Sequence, residues 1–363
     1  LGSAAAFGKP MRELFTFHAG GQVKAKVIVS LDRDFLDKYE PGNLTNAREF
    51  AQTRRVLTTK DPMSRLYVVE STFTNTGSCA DHRLRLAPSR IPAFAVALAK
   101  AISAKLPGGN FAPVAQAIEA VQVPAGGDIP TEFVTALAND LIAEDDGHAK
   151  RNRVGETLIM AGPSQPAAVH ALCHALNKAL GNVGQTVSYV PMSADEAASS
   201  AAGITALAGA IDRGDAKTVV CINVNPVFDA PAELDFAAKL KKTTLINLSV
   251  ENTETADAAN WSLNAAHYLE SWGDTEARDG PVPPIQPMIA PLYEPALCDI
   301  ELLALIADPN AGILPAAAAA GAPETGTPKQ PRVDDGHQIV RSAWRARLGG
   351  GVNEAAFDKI WRR

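Results

Sequence analysis

The residues best equipped for chemistry fall in one short stretch, A-A-H-Y-L-E-S-W-G-D-T-E-A-R-D-G (265–280). It places His267, Glu270, Trp272 and Asp274 within eight positions. A histidine with two carboxylates can ligate a metal, act as an acid/base pair, or form the hydrogen-bonded wall of a pocket. If 263–271 is helical, His267 and Glu270 share a face at i, i+3 spacing. A metal would need a third ligand, with Asp274 nearest and Glu254 or His82 more remote. No further His or Cys stands nearby at ligand spacing. The reading favoured by the residues is a network in which His267 and Glu270 bond each other and the backbone, with Trp272 packed under the loop.

Two other groupings carry chemistry on paper. Asp81-His82 could be half of a catalytic dyad, but no G-x-S-x-G elbow supplies a nucleophile, and Cys79 is too close in sequence for His82 to orient. A loop dipeptide held by hydrogen bonds is expected instead. His170 and His174 stand at the i, i+4 spacing that can bind a metal, yet the intervening Ala-Leu-Cys argues for a partly buried helix face. The four cysteines, Cys79, Cys173, Cys221 and Cys298, show no C-x-x-C spacing and read as buried thiols.

The elements that must position these groups are strands alternating with alanine-rich helices. Strands are expected at 23–31, 64–71, 155–162, 186–190, 217–224 and 243–250. Several are nearly continuous apolar runs, as strands buried on both faces require. Helical patterns cover 90–105, 164–180 and 231–241, with Gly181 as a stop and Pro231 in a first turn. This alternation predicts parallel α/β sheets, whose ligands bind beyond the carboxyl ends of the strands. The loops so singled out are 68–84, 160–166, 222–228 and 249–256. None carries G-x-G-x-x-G or G-x-x-x-x-G-K-[ST], which argues against NAD or ATP; taken singly, their Thr, Asn and Ser also serve as turn formers and caps.

Bulk properties narrow the class. A chain of 363 residues suggests two domains. A Pro/Gly-rich interval (106–130) and a polar stretch (143–153) interrupt the first part, and beyond about 308 the composition turns to Ala, Gly, Pro and Thr, as in a linker. With 34 basic against 40 acidic groups and no basic stripe, nucleic acid is not the expected partner. No apolar run reaches the roughly 20 residues that span a bilayer. The first ten residues lack the pattern of a signal peptide, and both ends read as arbitrary cuts in a longer polypeptide.

Taken in order, the loops resemble the molybdopterin oxidoreductase (dimethyl sulfoxide reductase) family. V-V-E-S-T…A-D-H-R-L-R-L-A-P-S-R-I-P-A-F-A-V-A-L-A matches its strand, polar loop, "AD", short strand and alanine-rich helix. L-I-M-A-G-P-S-Q-P…A-L-N-K-A-L-G-N-V-G is similar to the next unit, and N-V-N-P with E-N-T-E-T-A…H-Y-L-E-S-W-G-D is similar to its "NP…TETA" block. The resemblance covers about residues 20–295. In detail it is most similar to the molybdopterin-like iron–sulfur B subunits of alternative complex III, a bacterial quinol-oxidising membrane complex. A-H-Y-L-E-S-W-G-D followed by Q-P-M-I-A-P-L-Y (286–293) is the most specific part.

The resemblance implies an α/β fold of two Rossmann-like parallel-sheet domains, 1–184 and 185–308, followed by a linker and C-terminal tail at 309–363. It places Glu70, Ser71, Thr76 and Gly77 on one side of a cofactor cleft. On the other side stand Gly162, Asn225, Glu251, Thr253 and Glu254, with His267, Glu270 and Asp274 in the far wall. The family's N-terminal cysteine motif and molybdenum ligand have no counterpart in this chain, and 258–265 reads A-A-N-W-S-L-N-A where the family has "ADVVLPA". The expectation is therefore a fragment without catalytic residues, metal or cofactor of its own, and with a vestigial cleft. It would be the non-catalytic scaffold of a quinol-oxidising electron-transfer complex. Its implied partners are an iron–sulfur region, a multihaem cytochrome c and a quinol-oxidising membrane subunit, at the periplasmic face of a membrane-associated complex. The alternative is a fragment of a true oxidoreductase that binds a pterin guanine dinucleotide between its two α/β domains. A stand-alone nucleotide-binding protein is the third reading, disfavoured by the missing phosphate fingerprints.

Overall fold

The computed structural model describes residues 7–106, 111–124, 129–145, 150–192, 200–277, 282–293, 295–307, 336–349 and 352–361. The chain forms two compact units, Leu1–Ala197 and Ala198–Arg363.

In the first unit, β1 (Met11–Phe15) precedes β2 (Val27–Leu31), α1 (Asn43–Thr53), β3 (Arg65–Glu70) and β4 (His82–Arg85). Helices α2 (Ile91–Lys105), α3 (Ala112–Ala120) and α4 (Thr131–Ile142) follow, then β5 (Thr157–Ala161), α5 (Ala167–Ala179) and β6 (Val187–Pro191). Four strands make a parallel sheet in the order β4-β3-β2-β5. Every residue of β2 and β5 is buried, because both faces of the sheet are covered. Val27, Val29, Leu31, Val69 and Ile159 pack with α2, α4 and α5 on one face. Ile28, Leu66, Val68, Leu158 and Met160 pack with Phe17, Phe35 and Phe50 on the other. Side chains alternate between faces at period two, so a doubly covered strand must be apolar at every position.

Strand β6 does not extend this sheet. It pairs antiparallel with β1, from Met11↔Pro191 to Phe15↔Val187. That pairing ties 187–191 to the chain's beginning, which moves the boundary from the expected 184 to Ala197/Ala198. The Pro/Gly-rich interval contains α3, and the polar stretch at 143–153 pairs as a hairpin, Ala143–Asp145 with Lys150–Asn152.

The second unit holds α6 (Ser200–Asp212) and a parallel sheet of β7 (Thr218–Ile222), β8 (Thr244–Ser249) and β9 (Trp261–Asn264). Ala208 and Ile211 of α6 pack with Val219, Cys221, Leu245, Phe236 and Leu240. The helix expected over 231–241 is broken into Ala232–Leu234 and Phe236–Leu240, because Asp235 between them adopts a left-handed φ of 42°. Helix α7 (Glu254–Ala258) lies between β8 and β9.

The last part is more than a tail. After α8 (Asp299–Ala307), the helices α9 (Gly336–Leu348) and α10 (Glu354–Trp361) belong to the second unit. Gly336 donates its N–H to Glu301 at 2.9 Å. Trp272 lies 4.6 Å from the His337 ring and stacks on Trp361 at 5.9 Å, and Phe357 beside Trp361 is fully buried. The expected linker over 309–335 lies outside the described residues. No helix among the described residues is long and apolar enough to cross a membrane.

Candidate functional site

The order β4-β3-β2-β5 reverses direction between β2 and β5, and such a switch point is where an open α/β sheet forms a crevice at its carboxyl ends. Three charged residues leave β2 there: Asp32, Arg33 and Asp34. Asp32 takes a left-handed φ of 60°, which an aspartate tolerates better than most residues. Its Oδ2 accepts from Ser164 Oγ and Gln165 Nε2, both at 2.9 Å, in the loop beyond β5. Gly162 opens that loop, and its N–H donates to the Leu31 carbonyl at 2.8 Å. A Cβ at 162 would stand 1.8 Å from the Asp32 carbonyl oxygen. Only glycine allows β2 and β5 to part so closely.

Arg33 is enclosed beside them. Its guanidinium donates to Glu13, and to Glu40 Oε1 at 2.6 Å, and lies 4.7 Å from the centre of the Phe15 ring. Burial pushes the Glu13 carboxyl up, but Arg33 and the neighbouring histidines outweigh it, so its pKa falls. His174 sits against the same carboxylate. Its Nδ1 is 3.5 Å from Glu13 Oε1 and 3.0 Å from the Tyr189 hydroxyl. Burial lowers the His174 pKa to about 4 despite Glu13, and His170 is likewise lowered by burial. The i, i+4 histidine pair therefore belongs to a buried network joining α5, β1 and β6. Among the described residues, no group of three or more His, Cys, Asp or Glu is arranged to hold a metal ion.

At the end of β3, Glu70 is almost fully buried. Its carboxylate accepts from Arg83 Nε at 2.6 Å, Thr74 Oγ1 at 2.6 Å and Thr74 N at 3.3 Å. Gly77 packs directly on it, since a Cβ there would stand 1.9 Å from Glu70 Oε1. Thr76 is fully buried and donates its N–H and hydroxyl to Asp34 Oδ1 at 2.9 and 2.6 Å. Thr74 caps the short helix Asn75–Ser78. Ser71, half-buried, follows Glu70 at the start of this loop. Asp81 is bound bidentately by Arg54 at 2.7 and 2.8 Å and accepts from Leu66 N at 2.7 Å. His82 instead begins β4 and stacks on Tyr67 at 4.5 Å, so Asp81 is a loop residue held by hydrogen bonds, His82 is a strand residue, and the two form no dyad.

A cavity of about 550 Å³ opens beside the 162–166 loop, where Ser164, Gln165 and Pro166 meet Pro88, Ser89 and Pro92. These residues begin α5 and α2, whose free N–H groups could attract an anion. Prolines 166 and 92 remove donors from both helix starts.

In the second unit, the loops beyond β7 and β8 are bound to each other. Asn225 Oδ1 accepts from Thr255 N at 3.2 Å and Thr255 Oγ1 at 2.8 Å, while its Nδ2 donates to Glu254 at 2.7 Å. Thr253 caps α7 by accepting from Ala256 N at 3.2 Å, and Glu254 stands in the first turn. Glu251 is exposed, and its carbonyl accepts from Ser249 Oγ at 2.7 Å.

The segment 263–271 is not helical. Strand β9 runs to Asn264, Ala265 bridges to Leu297, and a turn follows. His267 and Glu270 meet through this turn: Glu270 Oε2 accepts from His267 N at 3.1 Å, and Oε1 accepts from Leu292 N at 3.3 Å. His267 Nδ1 accepts from Leu269 N at 3.3 Å. Trp272 packs under the loop against His337 and Trp361, and Asp274 pairs with Pro284 in a short antiparallel ladder.

The residues absent from the sequence reading are Glu13, Asp32, Arg33, Asp34, Glu40 and Arg83. The D-R-D run directly after an apolar strand was a usable signal for three of them. Glu13, Glu40 and Arg83 reach the site only through tertiary pairing.

No family model matches the chain, and no curated protein is similar to it at the level of sequence. Its fold is similar to the solved structure of acetylene hydratase from Pelobacter acetylenicus, with a TM-score of 0.50 and 12% identity over 82% of this chain and 48% of that one. The chain thus spans about half the length of that structure. At such identity the likeness shows the fold alone. The parallel α/β sheets expected from the sequence are those described above.

Proposed function

We propose that this chain is a non-catalytic scaffold within a molybdopterin oxidoreductase-like subunit of a quinol-oxidising electron-transfer complex. In this role it holds an iron–sulfur region, a multihaem cytochrome c and a quinol-oxidising membrane subunit in register at the periplasmic face. The observation that carries the reading is how the carboxyl ends of the first unit's sheet are filled. Asp32, Arg33, Asp34 and Glu70 are bound by Ser164, Gln165, Glu13, Glu40, Thr76, Thr74 and Arg83. A pterin dinucleotide needs free amide donors for its pyrophosphate and free carboxylates for its amino groups. Here the carboxylates are already engaged by neighbouring side chains and prolines deplete the helix starts, which supports a cleft that no longer fits the cofactor. Opening the site would strand buried charges, which is costly.

The test is metal analysis of the full-length protein together with fluorescence of extracted pterin. The scaffold reading expects molybdenum and pterin far below one per chain. It also expects the protein to co-purify with a cytochrome-bearing membrane complex. One molybdenum and a pterin dinucleotide per chain would overturn it in favour of a true molybdopterin-dependent oxidoreductase.

A further inference from the structure

At the opposite, amino ends of the first unit's strands lies a second cavity, of about 630 Å³. It is lined by Arg65 at the start of β3, Tyr67, Lys105 at the end of α2, Asn139 and Asp140 of α4, and Arg153 before β5. Asp140 is the acidic centre. Its Oδ2 accepts from Arg65 at 2.7 Å and from the Tyr67 hydroxyl at 3.1 Å, and its Oδ1 lies 3.4 Å from Arg153. Burial and the adjacent carboxylate raise the Tyr67 pKa to about 12, so the phenol remains a donor. The side chains of Asp140 and Arg153 are each only 9% exposed, whereas that of Arg65 is 50% exposed.

The charges do not cancel. Three cations face one carboxylate among the described residues of the cavity. The C-termini of α2 and α4 add about half a negative charge each. Over the described groups the sum is a surplus of about one positive charge in a partly buried pocket. Arg153 is also poorly served for a buried guanidinium: its contacts to Asp140 and to the Ala143 carbonyl are both long, at 3.4 Å. A buried guanidinium gains most from a planar or tetrahedral oxyanion that takes two of its N–H groups at once. The volume lies within the range of small-molecule sites.

We infer that this cavity binds a small oxyanion, the carboxylate or phosphate of a metabolite, with Arg153 as buried anchor and Arg65 and Lys105 as the rim. The site lies at the end of the sheet away from the filled carboxyl-end crevice, so it stands or falls independently of the scaffold reading. The experiment is calorimetric titration of the full chain with inorganic phosphate and, separately, with succinate. Both are run in chloride buffer at matched ionic strength. Saturable binding of one ion per chain is expected from at least one of them: phosphate identifies a phosphorylated ligand, succinate a carboxylated one. Lys105→Glu reverses a charge on an exposed helix end and should weaken that binding by about tenfold or more. Arg153→Gln should abolish it. Because Arg153→Gln can also disturb folding, Lys105→Glu and Arg65→Gln carry the test, with hydrogen exchange in β3 confirming an intact sheet. No saturable binding of either ion, or undiminished binding in Lys105→Glu and Arg65→Gln, overturns the proposal.

Discussion

The buried His174 makes the first unit sensitive to mild acid by an amount that can be worked out. Burial holds its folded pKa near 4 against an ordinary value of 6.5. The unfolded chain therefore binds the extra proton first. Stability from the neutral imidazole is complete above the unfolded pKa and is lost as the pH falls from 6.5 towards 4. At about pH 5 the unfolded histidine is almost fully protonated and the folded one almost not at all, a loss of about 2 kcal/mol relative to pH 8. Glu13, whose pKa is lowered, acts in the same direction at still lower pH. The test compares the wild type with His174→Gln, which cannot titrate but can still meet the Tyr189 hydroxyl. All four tryptophans, Trp261, Trp272, Trp344 and Trp361, lie in the second unit, so their emission follows that unit. The first unit is read by hydrogen exchange in β2 and β5 during urea unfolding. Between pH 8 and about pH 5, the wild-type midpoint of the first unit should fall by about 1 M urea. Most of that pH-dependent fall should vanish in His174→Gln, whatever its absolute stability. Parallel pH profiles for the two proteins would refute the reasoning.

Two further outcomes follow from close contacts. Gly162→Ala should cost the first unit about 3 kcal/mol, because its Cβ would meet the Asp32 backbone oxygen at 1.8 Å. The matched control, Gly203→Ala in α6, has nothing within 4 Å and should gain roughly 0.5–1 kcal/mol from helix propensity; urea unfolding of each unit checks both. Trp344 buries an indole N–H with no acceptor among the described residues, so Trp344→Phe should be neutral or stabilising by up to about 1 kcal/mol. A clear fall in the thermal midpoint of the second unit would contradict this.

The central strands were legible because both sheet faces are covered. V-I-V-S-L and T-L-I-M-A are apolar throughout, apart from small hydroxyls, and every one of those residues is buried. The alanine-rich α2 and α5 were equally plain, since each presents a broad apolar face to the sheet. What could not be read was pairing that depends on distant partners. M-R-E-L-F and V-S-Y-V-P look like unremarkable short strands, and only their mutual register places the second in the first unit. The helix at 231–241 failed for a local reason: proline and acids mark a start, but nothing in the composition announces the left-handed turn at Asp235.

The candidate site shows the same division, with more consequence. Single loops were readable as turn and cap chemistry, and Thr253 with Glu254 does cap and open α7. The filling of the crevice was not readable, because it is done by residues 20 to 133 positions away: Glu13 on Arg33, and Ser164 with Gln165 on Asp32. The H-Y-L-E-S-W-G-D stretch lies between these cases. Its His and Glu do meet, but through backbone N–H groups in a turn and not across a helix face. Its Trp272 is held by His337 and Trp361, from helices the composition did not foretell. A carboxylate bound by two backbone amides and an indole stacked beneath a helix pair are already engaged with the fold. The group that first looks most reactive therefore fits the anchor of a C-terminal helical pair better than a reaction centre.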